Sequence, residues 1–318
     1  MKEIIILCNK FGICLVSTLF VFQTRYQTVS YICGWERIVL MTCLVHDIPI
    51  YYEEYGEGKP VISIHGWPVD HQTMKDPLEP IFCQVQGYRR IYLDLPGMGK
   101  TPSALWIKNS DDMLEIVIEF IKSVIGEESF LLIGESYGGY ISQGLIHKMS
   151  EKINGVLLLC SMIDPREDDE KNLPERQIRY KPDQLDFIKE SSKEYCYMDM
   201  AVIITPEAYD KWQNNIQPAL DIADMDFLTN NCDMWYSTDF HKAVSETTFN
   251  KPSCILTGRQ DSIVGYKIAY ELVERFPRAT FAVLDCAGHM LEIERETLFR
   301  QFVKDWIWRV ELDLSTKF

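Results

Sequence analysis

The stretch Leu131-Leu132-Ile133-Gly134-Glu135-Ser136-Tyr137-Gly138-Gly139-Tyr140 is an apolar run that ends at a serine flanked by glycines. Its first half, from Phe130 to Ile133, predicts a short buried strand, and the apolar positions after Tyr137 recur at helical spacing. Ser136 is therefore predicted to lie on the turn between a strand and a helix. The glycines remove side chains where the two elements approach each other, so this turn can hold Ser136 in a strained, exposed conformation.

Gly134, Ser136 and Gly138 have the G-x-S-x-G spacing of a nucleophile elbow. Three fixed positions recur by chance in roughly one chain of this length in ten, so the pattern needs its structural context. The strand before it and the helix after it supply that context, and they favour a nucleophilic serine. The alternative is a glycine-rich turn in which the serine only caps the helix.

The composition limits the classes of protein that fit. The chain has 318 residues, 47% of them hydrophobic, which suffices for one large domain with an insertion or for two domains. A net charge of -15 argues against nucleic acid or an anionic membrane surface as partner. The ten cysteines form no C-x-x-C pair and no cluster with histidine, which predicts reduced thiols in a cytoplasmic protein and no zinc site.

The first forty residues do not match the rest of the chain. Ile13 to Phe22 form a mostly apolar decad that is too short to span a bilayer, and no small-residue cleavage pattern follows it. A signal peptide is the less favoured interpretation of this segment. We predict that translation begins at Met41 and that residues 1–41 are an extension outside the fold, which the intact mass of the natively expressed protein would test.

From Met41 the sequence alternates predicted strands with predicted helices. A hairpin turns at Asp47, and a helix capped by Ser110 or Asp111 extends to Ile125. Further apolar runs predict strands at 61–64, 90–94, 130–133, 156–159, 253–257 and 280–284, and a final amphipathic helix at 295–310. Continuous apolar strands that alternate with helices indicate an α/β fold, with a mostly parallel sheet covered on both faces.

Residues 164–247 interrupt this alternation. They contain nineteen acidic and nine basic residues and predict helices at 182–191, 206–214 and 218–229. We interpret them as a helical cap, or lid, inserted into the sheet domain. Their acidic residues either favour a substrate with a free amine or form a solvated face that keeps the protein soluble. We prefer the second interpretation.

A serine nucleophile needs an imidazole that accepts its proton and a carboxylate that orients the imidazole. Asp261 and His289 each follow a predicted strand, and the chain order Ser, Asp, His is the one this elbow requires. Since the carboxyl ends of parallel strands share one edge of the sheet, the three side chains can converge there. As alternatives, His289 is a surface residue, Asp261 caps a turn, or Asp164 is the acid.

Four of the other histidines, His46, His71, His147 and His241, are interpreted as structural.

An acyl-transfer site also needs donors for the oxyanion. The N–H of Tyr137 lies at a helix N-terminus, where the dipole favours negative charge. The loop after strand 61–64 would supply the N–H of Trp67, unless His65-Gly66 is only a tight turn. Residues 97–101 resemble the end of a phosphate-binding loop, but Asp94 stands where that motif needs glycine, so they are interpreted as a turn.

Five segments together resemble the ordered motifs of the α/β-hydrolase superfamily. They are His65-Gly-Trp-Pro68, Asp94-Leu-Pro-Gly-Met-Gly99, Gly134-Glu-Ser-Tyr-Gly138, Gly258-Arg-Gln-Asp261 and Gly288-His289. The resemblance covers residues 42–163 and 248–318. It implies an eight-stranded sheet, a lid after the sixth strand, and catalysis without a metal or cofactor.

By position, the resemblance implies that Ser136 is the nucleophile, Asp261 the acid and His289 the base, with Trp67 and Tyr137 as oxyanion donors. Dehalogenase and epoxide-hydrolase relatives carry aspartate where this chain has Ser136, which disfavours those reactions. The expected activity is a serine hydrolase that cleaves a small-molecule ester, without nucleic acid or stable membrane association. The alternatives are an aminopeptidase of the proline-iminopeptidase type, a non-enzymatic ligand receptor on the same fold, and a protein tethered to a membrane by its N-terminus.

Overall fold

The structure is a computed structural model. It describes residues 17–18, 26–33, 36–164, 173–189, 197–230 and 246–316, with only the backbone described before residue 41. Within these residues one sheet has helices packed on both faces, and the predicted α/β fold is confirmed. No helix among them is long and apolar enough to cross a membrane.

Ten strands of the described chain form one sheet, in the order β1-β2-β3-β4-β6-β5-β7-β8-β9-β10. They are β1 Ser17–Thr18, β2 Tyr26–Cys33, β3 Glu36–Val45, β4 Ile48–Tyr55, β5 Lys59–Ile64, β6 Tyr88–Leu93, β7 Phe130–Glu135, β8 Ile153–Leu159, β9 Ser253–Gly258 and β10 Ala279–Leu284. Neighbouring strands pair in parallel within the run β6-β5-β7-β8-β9-β10, and all other neighbouring strands pair antiparallel. The eight strands β3 to β10 thus form the mostly parallel sheet that was expected.

Ten helices lie within the described part of the chain. They are α1 Gln72–Phe82, α2 Ser110–Ile125, α3 Tyr137–Met149, α4 Tyr197–Met200, α5 Pro206–Asn215, α6 Gln217–Ile222, α7 Met225–Asn230, α8 Leu272–Arg275, α9 Leu291–Glu294 and α10 Glu296–Ser315, with 3₁₀ turns at Ser150–Lys152 and Ile268–Glu271. The buried faces of α2 and α3 share one apolar cluster with the sheet, and those of α1 and α10 share the other. Both layers exclude water from strands whose side chains alternate between the two clusters.

Two turns show how local sequence sets the ends of elements. His46 and Asp47 have φ of 46° and 66°, so the β3–β4 hairpin is a two-residue turn of the kind that requires positive φ at both positions. At the start of α2, Asn109 is the N-cap, and its Oδ1 accepts from the N–H groups of Asp111 and Asp112. The predicted cap at Ser110 or Asp111 was therefore one or two residues late.

The prediction that residues 1–41 lie outside the fold is wrong for the strand at residues 26–33, which pairs at the edge of the sheet. β2 pairs antiparallel with β3 over its whole length, from Tyr26 opposite Cys43 to Cys33 opposite Glu36. The sequence of β2, Tyr-Gln-Thr-Val-Ser-Tyr-Ile-Cys, is rich in the β-branched and aromatic residues that favour strands. Residues 1–16 and 19–25 lie outside the described chain, and a start at Met41 stays a prediction.

The described part of the inserted segment contains α4 to α7. The predicted helix at 206–214 is confirmed as α5, where Thr205 Oγ1 accepts from the N–H of Ala208 and Pro206 begins the helix. The one predicted at 218–229 is two helices that break at Ala223 and Asp224. Residues 182–189 are not helical, which corrects the helix predicted at 182–191, and residues 190–191 lie outside the described chain.

A buried charge cluster fastens the N-terminus of α1 to the sheet. His71 Nδ1 lies 2.7 Å from Asp94 Oδ1, and its Nε2 lies 3.1 Å from Glu53 Oε1. Lys75 Nζ forms a further ion pair with Glu53 at 2.9 Å. Burial lowers the pKa of His71, but the two carboxylates outweigh it and raise the pKa to about 9, so the imidazole is charged at neutral pH.

We expect His71→Phe to lower the free energy of unfolding by about 3–5 kcal/mol at pH 6, because it leaves buried Asp94 without its cation and Glu53 with Lys75 alone. The raised pKa of His71 makes this contribution complete below its ordinary pKa of 6.5 and removes it as pH rises through about 9. The pKa of Glu53 and that of Asp94 are lowered, so their share is lost as pH falls into the acid range. The difference in free energy of unfolding between wild type and variant should therefore decrease at alkaline pH and at acid pH.

Urea unfolding across this pH range measures the effect. His147→Phe is the matched control, because His147 is exposed on α3 and its described hydrogen bond joins it to Thr247. The control should stay within about 1 kcal/mol of wild type. An equal and pH-independent loss in both variants would contradict the charged state of His71.

Candidate active site

Ser136 lies at the sharp turn between β7 and α3. Its φ of 51° is in the left-handed region, where a residue other than glycine is strained. A β-carbon on Gly138 would lie 2.3 Å from the carbonyl oxygen of Ile64, and one on Gly134 would lie 2.3 Å from Ser142 Oγ. The predicted strained turn between strand and helix is confirmed, and only glycine fits on its two sides.

Asp261 and His289 reach Ser136 from the ends of β9 and β10. His289 Nε2 lies 3.0 Å from Ser136 Oγ, and His289 Nδ1 lies 3.0 Å from Asp261 Oδ2. Asp261 is fully buried, and its other oxygen accepts from the N–H groups of Ile263 and Val264. The three side chains predicted to converge form one chain of hydrogen bonds, in the geometry of a serine, its base and the group that orients the base.

Asp164, the competing acid in the sequence, is buried beyond the end of β8. The carboxylate that contacts Nδ1 of the His289 imidazole is that of Asp261. Of the other histidines, His71 belongs to the buried charge cluster, His46 forms the β3–β4 turn and His147 lies on α3. His241 lies outside the described residues.

The loop after β5 lies against the serine. A β-carbon on Gly66 would lie 2.9 Å from Ser136 Cβ, and the next residue, Trp67, lines the cavity above it. The other predicted donor, Tyr137, is the first residue of α3. Both residues are therefore adjacent to Ser136, and the assignment of their N–H groups to an oxyanion stays a prediction.

His65 fixes this loop. Its Nδ1 donates to the carbonyl oxygen of Gly66 at 2.6 Å, and its Nε2 accepts from the N–H of Leu95 at 3.0 Å. Burial lowers the pKa of His65 to about 4, so the ring is neutral and can both donate and accept. The turn after β6 closes on Asp94, which accepts from the N–H of Lys100 and whose carboxylate leaves no space for a β-carbon on Gly99.

A cavity of about 200 Å³ opens above Ser136. Its walls are mostly apolar, with Trp67 and Met162 from the core and Ile216 and Leu220 from the inserted helices. The inserted segment therefore contributes to the roof of the site, where it can contact a substrate.

Two acidic side chains, Glu135 and Glu292, also line this cavity. The first, Glu135, occupies the variable position of the G-x-S-x-G motif, and its Oε1 lies 3.5 Å from His289 Nε2. Burial raises the pKa of Glu135 to about 7. Burial alone would lower the pKa of His289, but the charge and hydrogen bond of Asp261, together with both glutamates, raise it to about 9. Sequence reasoning did not identify either glutamate, because the motif leaves one position open and the other glutamate follows His289 in a charged stretch.

His289, the predicted base, can accept the serine proton only when it is neutral, and its neutral fraction increases as pH rises through its pKa of about 9. We therefore expect kcat/KM for an ester to increase up to an alkaline plateau. Glu135→Gln removes one of the charges that raise this pKa, so the midpoint should move to lower pH, by about one unit.

Measurements of kcat/KM from pH 6 to 10 test this shift. Glu296→Gln is the matched control, since Glu296 lies outside the cavity and pairs with Lys211 and Arg300 on the surface. A midpoint that moves to higher pH in Glu135→Gln, or moves equally in both variants, would contradict the proposed coupling.

Two groups of side chains in the described residues have metal-ligand types close together. They are Cys160 with Asp261 and His289, and Asp70 with His71 and Asp94. In each group the histidine already contacts an aspartate within 3.0 Å. Burial raises the pKa of the Cys160 thiol well above its usual range, which opposes the thiolate that binds metals. Neither group fits a metal site as it stands.

Comparisons with known proteins find relatives with the same architecture. The sequence profile of the alpha/beta hydrolase fold family matches residues 59–296. An alpha/beta superfamily hydrolase from Oenococcus oeni PSU-1 superimposes with a TM-score of 0.74 at 31% sequence identity, covering 82% of this chain and 96% of that one.

Curated relatives are more distant in sequence. The 2-hydroxy-6-oxo-6-(2'-aminophenyl)hexa-2,4-dienoic acid hydrolase of Metapseudomonas resinovorans is 23% identical over 246 residues, which cover 76% of this chain and 82% of that protein. The pimeloyl-[acyl-carrier protein] methyl ester esterase of Legionella pneumophila (strain Paris) is 22% identical over 263 residues, which cover 81% of this chain and 99% of that protein. These matches extend over most of both chains.

Proposed function

The chain belongs to the α/β-hydrolase fold family, and from this premise we propose that it is a serine hydrolase that cleaves a small ester through an acyl-enzyme intermediate. The observation that carries the proposal is the chain of hydrogen bonds from Ser136 through His289 to Asp261, at the base of a mostly apolar cavity. The similarity to a methyl ester esterase supports ester chemistry. The presence of serine, not aspartate, at the elbow supports an acyl intermediate.

In the first half-reaction, His289 Nε2 accepts the proton of Ser136 Oγ while this oxygen attacks the ester carbonyl. Asp261 stabilises the imidazolium that forms. The N–H groups of Trp67 and Tyr137 would hold the oxyanion, the second of them at the positive end of α3. His289 then gives its proton to the leaving oxygen, the C–O bond breaks, and an alcohol departs.

In the second half-reaction, water enters the place of the alcohol. His289 accepts a proton from this water, which attacks the acyl carbonyl, and the tetrahedral intermediate collapses with return of the proton to Ser136. The products are a carboxylic acid and the free enzyme. The apolar walls around the site strengthen each electrostatic contact by keeping other water away.

A panel of short p-nitrophenyl esters, lactones and aminoacyl amides tests the proposal. An ester hydrolase should show kcat/KM for at least one ester well above that for every amide. A preference for aminoacyl amides would identify an aminopeptidase of the proline-iminopeptidase type. Lack of turnover across the panel, in a folded protein whose Ser136 resists covalent labelling, would support a non-enzymatic ligand receptor.

A further inference from the structure

Glu292 is a buried acidic residue in the wall of the cavity. The residue is 9% exposed, and its Oε2 has no hydrogen-bond partner among the described residues. Glu294, two residues further on, differs in this respect. Its Oε1 accepts from the N–H of Val202 and Ile203, and its Oε2 accepts from the N–H of Gly288. Glu294 therefore joins the inserted segment to the loop of His289, while Glu292 keeps an unused acceptor.

A buried acceptor without a donor is destabilising, so a ligand that supplies a donor there gains affinity. This acceptor belongs to a side chain that lines the same cavity as Ser136. The incompletely paired carboxyl group of Glu292 therefore favours a polar group of the ligand beside it over a further apolar one.

Carboxyl groups outnumber cations around the cavity, because His289 is the one cationic side chain among the described lining residues and faces Glu135, Glu292 and Asp261. Of the described residues that line it, none is Lys or Arg, and the imidazole of His289 already contacts Asp261. Burial and the charge of Glu135 together raise the pKa of Glu292 to about 8, so a second negative charge in this cavity is disfavoured. A cationic group of the ligand would stabilise the ionised glutamates, and a further carboxylate would destabilise them.

We propose that Glu135 and Glu292 form a subsite for a cationic group of the substrate, so that the site prefers esters that carry an ammonium group and rejects esters that carry a carboxylate. The inference deepens the proposed ester hydrolysis and rests on it for the reaction. The two carboxyl groups bind the cation, and Ser136 attacks the carbonyl beside it.

Matched esters that differ in one group test this subsite on either side of the scissile bond. On the acyl side, methyl 3-aminopropanoate, methyl butanoate and monomethyl succinate present an ammonium, a methyl and a carboxylate group at the same position. On the alcohol side, 2-(trimethylammonio)ethyl acetate and 3,3-dimethylbutyl acetate differ only in charge. At pH 8 we expect kcat/KM to favour the cation by about tenfold or more in at least one pair, with the carboxylate ester slowest.

Variants assign the preference to the two glutamates. Glu292→Gln and Glu135→Gln should each reduce the ratio of cationic to neutral ester by about threefold or more, whatever happens to their absolute rates. Glu296→Gln removes a carboxylate from the same part of the chain outside the cavity, and its ratio should equal that of wild type. Ratios near one in both pairs, or an equal reduction in Glu296→Gln, would overturn the inference.

Calorimetric binding of the same esters to Ser136→Ala separates the subsite from the reaction. Tighter binding of the cationic ester, lost in Ser136→Ala/Glu292→Gln, supports the subsite even if wild type hydrolyses none of them. Equal binding of cationic and neutral esters, together with serine-dependent hydrolysis, refutes the subsite and leaves the proposed function standing.

Discussion

Replacement of Ser136 by alanine should lower kcat for a short p-nitrophenyl ester by about 10³- to 10⁶-fold. The hydroxyl lies 3.0 Å from His289 Nε2, and the proposed reaction has no other atom that can carry the acyl group. Alanine removes the nucleophile but keeps the small side chain at this strained position, so the fold should persist. Steady-state kinetics on the purified variant, with circular dichroism as a check on folding, measure the effect.

Ser150→Ala is the matched control, because Ser150 follows the end of α3 and lies outside the cavity. This variant should keep kcat within about threefold of wild type, as expected for a surface change away from the site. A Ser136→Ala protein that hydrolysed the ester at the wild-type rate would refute the proposed mechanism.

The second large effect is expected at Asp261, where Asn should lower kcat by about 10⁴-fold. The carboxylate accepts from His289 Nδ1 and so leaves Nε2 free to accept the serine proton. An amide can donate to Nδ1 instead, which favours the tautomer whose Nε2 carries hydrogen. Asn can still accept from the N–H groups of Ile263 and Val264, so the turn should keep its conformation.

Asp164→Asn distinguishes the two acids that the sequence offers. If Asp261 orients His289, the Asp164 variant should retain most of the wild-type kcat. A larger loss in Asp164→Asn than in Asp261→Asn would transfer the role to Asp164 and contradict the arrangement described here.

The sheet and the three converging side chains could be predicted because each depends on local sequence. A continuous apolar run such as Phe130 to Ile133 marks a strand that is buried on both faces, and its end marks the edge of the sheet. Ser136, Asp261 and His289 each follow such a run. Parallel pairing then places them at one edge, although 153 positions separate Ser136 from His289.

The inserted segment was predicted less well because its structure depends on tertiary packing. Pro182 and the residues after it resemble a helix start, but residues 182–189 are irregular and their apolar side chains pack on the helices beside them. Phe187, for example, contacts the ring of Tyr209 edge-on at 5.8 Å. Such contacts join residues far apart in sequence and leave no periodic pattern.

The two glutamates in the cavity could not be predicted from their sequence positions. A charged residue is by default a surface residue, and only the fold shows that Glu135 and Glu292 are enclosed beside His289. The β2 strand was not predicted, because the apolar decad before it is also typical of a targeting segment.

In the proposed mechanism, His289 and Asp261 make the Ser136 hydroxyl nucleophilic. Labelling with a fluorophosphonate, followed by intact-mass and peptide-mass analysis, tests it most directly because the reagent forms a covalent bond with an activated serine. We expect one adduct per chain, located on Ser136, with labelling at least about 100-fold slower in His289→Ala. An adduct on another residue, or an unlabelled Ser136 in the folded wild-type protein, would contradict it.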